Sequence, residues 1–175
     1  MKTENQPYFF KLIIALLFFS SSIVFSQTTT PFIKRYETTG INGDLTIIGN
    51  SILGDSSDTP YNGTTQNNFI DMVFVDIDTN VNTFNSSSAN FTTNSCNRVV
   101  YAGLYWGAVS APTILEPEKI KFKIPGKSYQ DLTADETIDL IYYKDVTTIV
   151  AANTTVSGDY FVANISTSEG RSSAA

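Results

Sequence analysis

Histidine is absent from the 175 residues, and Cys96 is the single cysteine. Without an imidazole there is no Ser-His-Asp or Cys-His relay, and a zinc site loses its commonest ligand. The enzyme chemistries left are those of carboxylates and lysines. One thiol cannot staple a chain to itself, so the fold must rest on packing. Cys96 is expected to be a small buried residue beside the strand that begins at residue 98; the alternative is a partner outside the chain. Charge is also scarce, at 16% of residues, and its formal balance is −6 at pH 7. An acidic balance argues against nucleic acid and anionic membranes as partners. Long hydrophobic runs are missing as well, with one exception.

That exception is Leu12 to Phe19, LIIALLFF, preceded by Lys2 and Lys11 and followed by Ser20, Ser21 and Ser22. A basic lead, an apolar centre and small residues before a polar junction make a secretory signal peptide. The expected leader is residues 1–26, cleaved between Ser26 and Gln27, with a lead-in at 27–31 and one domain at 32–175. The run is shorter than the ~20 apolar residues a membrane helix needs. No cysteine lies near the junction, which excludes lipid attachment there. Losing Lys2, Glu4 and Lys11 with the leader moves the formal balance to −7.

Beyond residue 31 the pattern is β throughout. In KIKFKI (119–124), Ile120, Phe122 and Ile124 share one face and three lysines the other, before the turn residues Pro125-Gly126. This reads as an outer strand with one wet face, its lysines discouraging edge-to-edge pairing. RVVYAGLYWGAV (98–109) is apolar on both faces and reads as a central strand covered on both sides, with Tyr105-Trp106 packing in the core rather than stacking on a sugar. Further strands are expected at Phe32–Thr38, Leu45–Ile48, Phe69–Asp76, Ala89–Thr92, Thr137–Tyr143 and Asp159–Ile165. One short helix is expected over Asp145–Ala152, with Asp145 capping and Val146, Ile149 and Val150 inward. Many short strands between turn signals predict an all-β antiparallel sandwich or jelly roll. The chain closes on GRSSAA with no final element, so the domain is expected to be incomplete at its C-terminus.

The ordered segments GDLTIIGNSILG, FVDID, TFNSSSA, YAGLYWGA, KDVTTIV and GDYFVANI together resemble a β-rich domain near the N-terminus of large secreted surface proteins. These proteins occur in gliding Bacteroidota-type bacteria. The resemblance spans most of residues 32–175. It implies a secreted or cell-surface, adhesin-like module, exported by the type IX route, and it implies no catalytic residue.

The chemistry-bearing stretch is FVDIDTNVNTFNSSSANF (74–91), where Asp76, Asp78, Asn80 and Asn82 alternate. Calcium loops place oxygen ligands at alternate positions, and Asp76, Asp78 and Asn80 match the first half of such a pattern. The second half fails, because Val81 stands in place of the turn glycine and Ser87 in place of the closing glutamate. Three readings are open. The leading one is a wet strand face running into a turn, in a surface module of structural or adhesive role with no enzyme activity and an unidentified extracellular protein or glycan as partner. The alternative is a lectin-like module using the 76–90 loop for calcium or glycan. The third is a glycoside hydrolase working through Asp76 and Asp78.

Overall fold

Strand formation follows the alternation wherever a partner strand is available. The structure, a computed structural model, describes residues 33–63, 69–108 and 116–171. The expected leader, the Ser26–Gln27 junction and the 27–31 lead-in lie outside these residues. The chain divides into two units, Met1–Arg35 and Tyr36–Ala175. Every strand among the described residues belongs to the second unit.

Nine strands and one helical turn are present among the described residues: β1 (Leu53–Gly54), β2 (Val73–Phe74), β3 (Ser86–Phe91), β4 (Gly103–Gly107), β5 (Lys119–Lys123), β6 (Gln130–Thr133), β7 (Glu136–Ile138), β8 (Ile141–Asp145), α1 (Thr147–Ala151) and β9 (Gly158–Ala163). Every named pairing is antiparallel. The strands form a four-stranded sheet in the order β3-β9-β5-β6, a three-stranded sheet β4-β8-β7 and a ribbon β1-β2. The fold is therefore all-β and sandwich-like. Its core joins Trp106, Ala108 and Tyr142 of the smaller sheet to Ile120, Phe122, Ile124 and Leu132 of the larger one. Val146, Val150 and Ile165 complete it.

The KIKFKI alternation is realised, with Ile120 and Phe122 buried and the lysines turned out. Lys127 N donates to Ile124 O at 3.1 Å across Pro125-Gly126, and Gly126 takes φ 73°. That positive φ at the third position is what a type II turn demands. The helical turn also forms, but over Thr147–Ala151 only: Val146 holds the N-cap position without a side-chain cap bond, and Asp145, expected to be the cap, ends β8. Asp145 Oδ1 accepts the Thr147 N–H at 2.8 Å, Val146 and Val150 are buried, and Ile149 packs on the core.

Several expectations are corrected. β5 is a central strand between β9 and β6, not an outer one. Conversely, the strand expected at 98–109 shrinks to β4, which lies at the edge of its sheet with Trp106 buried and Tyr105 half exposed. No strand forms among the described residues of 32–38 or over 45–48, where Leu45 and Ile47 are 78% and 87% exposed. Among the described residues no strand pairs with that apolar alternation. The 69–76 strand contracts to β2. The 137–143 strand is a hairpin, β7–β8, turning at Asp139-Leu140, with Asp139 at φ 54°. β6 escapes the alternation rule, because QDLT offers one inward apolar residue, Leu132. Cys96 is exposed rather than buried.

Candidate functional site

The backbone after β2 runs beside β3, with Ser86 N donating to Val75 O at 2.7 Å and Ile77 N to Ser86 O at 3.3 Å. This short parallel bridge, Asp76 to Ser86, attaches the β1-β2 ribbon to the edge of the larger sheet. It also sets the acidic residues over that sheet's outer face. Val75 is fully buried, whereas Val73 and Ile77 are half-buried.

The outer face supplies the partners. Ser86 Oγ lies 2.9 Å from Asp76 Oδ1 and 2.9 Å from Asp78 Oδ1, so its one proton is shared between two carboxylates, while it accepts the Asp78 N–H at 3.2 Å. Tyr129, in the β5–β6 connection, donates to Asp78 Oδ2 at 2.7 Å. Lys123 Nζ of β5 stands 3.6 Å from the same oxygen and sits over the rings of Phe161, at 3.6 Å, and Tyr129, at 4.8 Å. Asp78 is thus not on a wet face: its side chain is 12% exposed. Burial pushes its carboxyl up. The hydrogen bonds from Tyr129, Ser86 and the Asn80 N–H, with the Lys123 charge, outweigh that and hold it below the usual carboxylate range. Burial and the adjoining Asp78 carboxylate raise the Tyr129 hydroxyl in turn.

The alternation that suggested a calcium loop has a local cause. Asp78 Oδ1 accepts the Asn80 N–H at 3.3 Å, and Asn80 Oδ1 accepts the Asn82 N–H at 3.0 Å. Two such side-chain turns in series need an Asx residue at every second position. Thr83 closes the loop, its N–H and its hydroxyl both donating to Asn80 O at 2.9 Å. Of the three candidate ligands, Asp76 and Asp78 meet through Ser86, while the Asn80 side-chain oxygen turns to Asn82. Among the described residues no group of three or more His, Cys, Asp or Glu is placed to hold a metal ion. Nor does Asp78 suit a general acid in glycoside cleavage, which needs a raised carboxyl pKa.

The arrangement ties together the 76–83 loop, β3, β5 and the β5–β6 connection through one carboxylate. Asp78→Ala is expected to cost about 1.5–3 kcal/mol at pH 7, the scale of hydrogen bonds to a charged group. Because the carboxyl is lowered in the folded state, its stabilisation is complete above the ordinary range near ~4 and is lost as pH falls through the lowered value. The gap between wild type and variant should therefore close towards acid in thermal unfolding. Midpoints at neutral pH should also be the same in calcium and in chelator. A calcium-dependent rise that Asp78→Ala abolishes would overturn this account.

Sequence reasoning found the two aspartates but missed Ser86, Lys123 and Tyr129. Their only advance signal was parity, since Lys123 and Ser86 share the outward register of their strands. A second cluster was also missed. Tyr101 OH lies 3.1 Å from Tyr143 OH, Tyr36 stacks on Tyr101 at 5.1 Å and Tyr105 tilts over Tyr143 at 4.9 Å. Burial and the Tyr143 hydroxyl push Tyr101 up to about 12. No helix among the described residues is long and apolar enough to cross a membrane. Comparison with known protein families, curated proteins and solved structures finds no match.

Proposed function

We propose that this chain is a secreted or cell-surface β-sandwich module with a structural or adhesive role, the N-terminal part of a larger surface protein. The observation that carries this reading is how the charges on its strands are used. Lys121 pairs with Asp131 at 2.7 Å, Lys123 with Asp78, and Lys144 with Asp135 at 2.5 Å, each joining different strands or a strand to a loop. These ion pairs hold neighbouring segments of the sheets together. The leader-like start, the acidic balance and the resemblance to surface proteins support the location. With Cys96 exposed and no second cysteine in the sequence, this core relies on no internal disulfide.

The test is protease treatment of intact producing cells, followed by detection with antibody against residues 27–175. Digestion without lysis, with Gln27 as the N-terminus of the mature protein, is the expected result. Protection until lysis, with Met1 retained, would refute the proposal.

A further inference from the structure

The larger sheet ends at β3, and the bonds around Ser86 fix which peptide groups look outward from that edge. Ser86 N donates to Val75 O and Ser86 O accepts the Ile77 N–H, so the Ser86 peptide groups face the β2 side. Asn85 O, by contrast, accepts the Asn164 N–H on the β9 side. Bonded positions alternate along an antiparallel pair, so Ser88 and Asn90 also face away from β9. Asn50 Nδ2 donates to Ser88 O at 2.8 Å. Beyond the Ser86 bridge, no strand among the described residues pairs with this edge.

The segment before Asn50 has the strand pattern without the strand. Its exposed Leu45 and Ile47 line a cleft of about 1640 Å³ together with Ala89 and Phe91 of β3. Its direction and level against β3 are already set. β1 runs antiparallel to β2, and the chain after β2 makes a parallel bridge with β3, so the chain entering β1 runs antiparallel to β3. Val75 N donates to Ile52 O while Val75 O accepts the Ser86 N–H, which brings Ile52 level with Ser86. Two residues back, Asn50 is level with Ser88, where its side chain is bonded, and Ile48 is then level with Asn90. In the same register Ile47 stands opposite Phe91 and Gly49 opposite Ala89. Side chains alternate across a sheet, and Ser86 points to the outer face, so these odd-numbered positions lie on the inner one.

We propose that residues 45–50 are a strap that closes as a fifth strand on the free edge of β3, anchored by Asn50, and covers the cleft. Ile48 then exchanges both backbone bonds with Asn90, and Leu45 and Ile47 turn inward beside Phe91. Closure removes two large apolar side chains from water and satisfies peptide groups on both strands. The register was set by bonds outside the strap, yet it turns the exposed apolar residues, and not Thr46 or Ile48, towards the core. The strap thereby decides whether the cleft is open to solvent. The inference goes beyond the proposed location and role, because it concerns how the larger sheet completes its own edge.

The test compares two apolar residues that are both exposed here, Ile47 at 87% on the strap and Val81 at 96% in the 76–83 loop. Because closure buries Ile47, Ile47→Asn should lower the thermal midpoint by roughly 4–8 °C. Val81→Asn should move it by less than about 2 °C, as an ordinary surface substitution does. Amide exchange in the unaltered chain, followed by NMR, gives the second readout. The Ile48 and Asn90 N–H groups, bonded in the closed form, should exchange at least about a hundredfold more slowly than those of Ile47 and Gly49, which point away from β3. Ile47→Asn should abolish the slowing at Asn90. If that variant does not fold, exchange in the unaltered chain decides alone. Equal midpoints for Ile47→Asn and Val81→Asn, or Ile48 exchanging as fast as Ile47, overturns the proposal, whatever the cell-surface experiment shows.

Discussion

Trp106→Ala is expected to lower the unfolding free energy by about 3–5 kcal/mol, the range for deleting a large aromatic from a packed core. Trp106 is 5% exposed and stacks on Tyr142 across the β4–β8 pair, with ring centroids 5.7 Å apart and planes 17° from parallel. Its Nε1 donates to Pro117 O at 3.0 Å, which ties the chain entering β5 to the smaller sheet. Alanine would leave a void between the sheets and a carbonyl without its donor. A domain of this size has a total stability of roughly 5–15 kcal/mol, so the loss is a large share of it. In urea the midpoint should fall by roughly 1–3 M, followed by circular dichroism because the one tryptophan has gone. Trp106→Phe separates the two contributions: it keeps most of the ring and loses the Nε1 bond, at about 0.5–1.5 kcal/mol plus a small packing loss. A drop below 1 kcal/mol for Trp106→Ala would mean that the two sheets do not close on this residue.

The second large effect is expected at Asn85, which is completely buried. Its Oδ1 accepts the Ile165 N–H at 3.0 Å, and its Nδ2 donates to Ile165 O at 2.9 Å. The reason lies one residue earlier on the partner strand. Asn164 takes φ 58°, which turns the chain out of line after the β3–β9 ladder ends at Ser86 and Ala163. Asn164 N still reaches Asn85 O at 3.1 Å, and Asn164 Oδ1 accepts the Phe84 N–H at 3.0 Å. Ile165 is then beyond the reach of a backbone partner, and the Asn85 amide stands in for one. Asn85→Ala leaves two buried peptide groups unmatched, at about 1–3 kcal/mol each before relaxation, so a net loss of roughly 2–4 kcal/mol is expected. Asn85→Asp retains the acceptor but sets a carboxylate against the Ile165 carbonyl. Its pKa should rise, because only the protonated form can donate there. That variant should regain stability as the pH is lowered through the raised value, opposite in sign to the Asp78 effect. Neutral-pH stability of Asn85→Ala within about 0.5 kcal/mol of wild type, the scatter of ordinary surface substitutions, would remove Asn85 from the architecture.

Much of the fold was legible because the signals are local. KIKFKI carries its period in six residues, Pro125-Gly126 carries its turn in two, and GDYFVA opens on a glycine at φ 137°. The short helical turn could be placed from the spacing of Val146, Ile149 and Val150, although Val146 and not Asp145 takes the N-cap position. The failures share a cause of another kind. Leu45 and Ile47 alternate as well as any strand in the chain, yet strand structure also needs a neighbour's peptide groups, and none pairs with them among the described residues. QDLT, with its weak pattern, is a strand because β5 presents a ladder to it from Lys119 to Phe122.

The candidate site divides along the same line. The chain of Asx turns at Asp78 and Asn80 follows from residues two apart, and the sequence by itself determined it. Whether those carboxylates would bind an ion, serve a reaction or be tied down depended on residues distant in the chain, Ser86, Lys123 and Tyr129. Local periodicity reports which way a side chain faces along its own strand. The sheet order decides what stands opposite: it brought Lys123 and Tyr129 to Asp78, placed the Asn85 amide against Ile165 and left β4 at an edge.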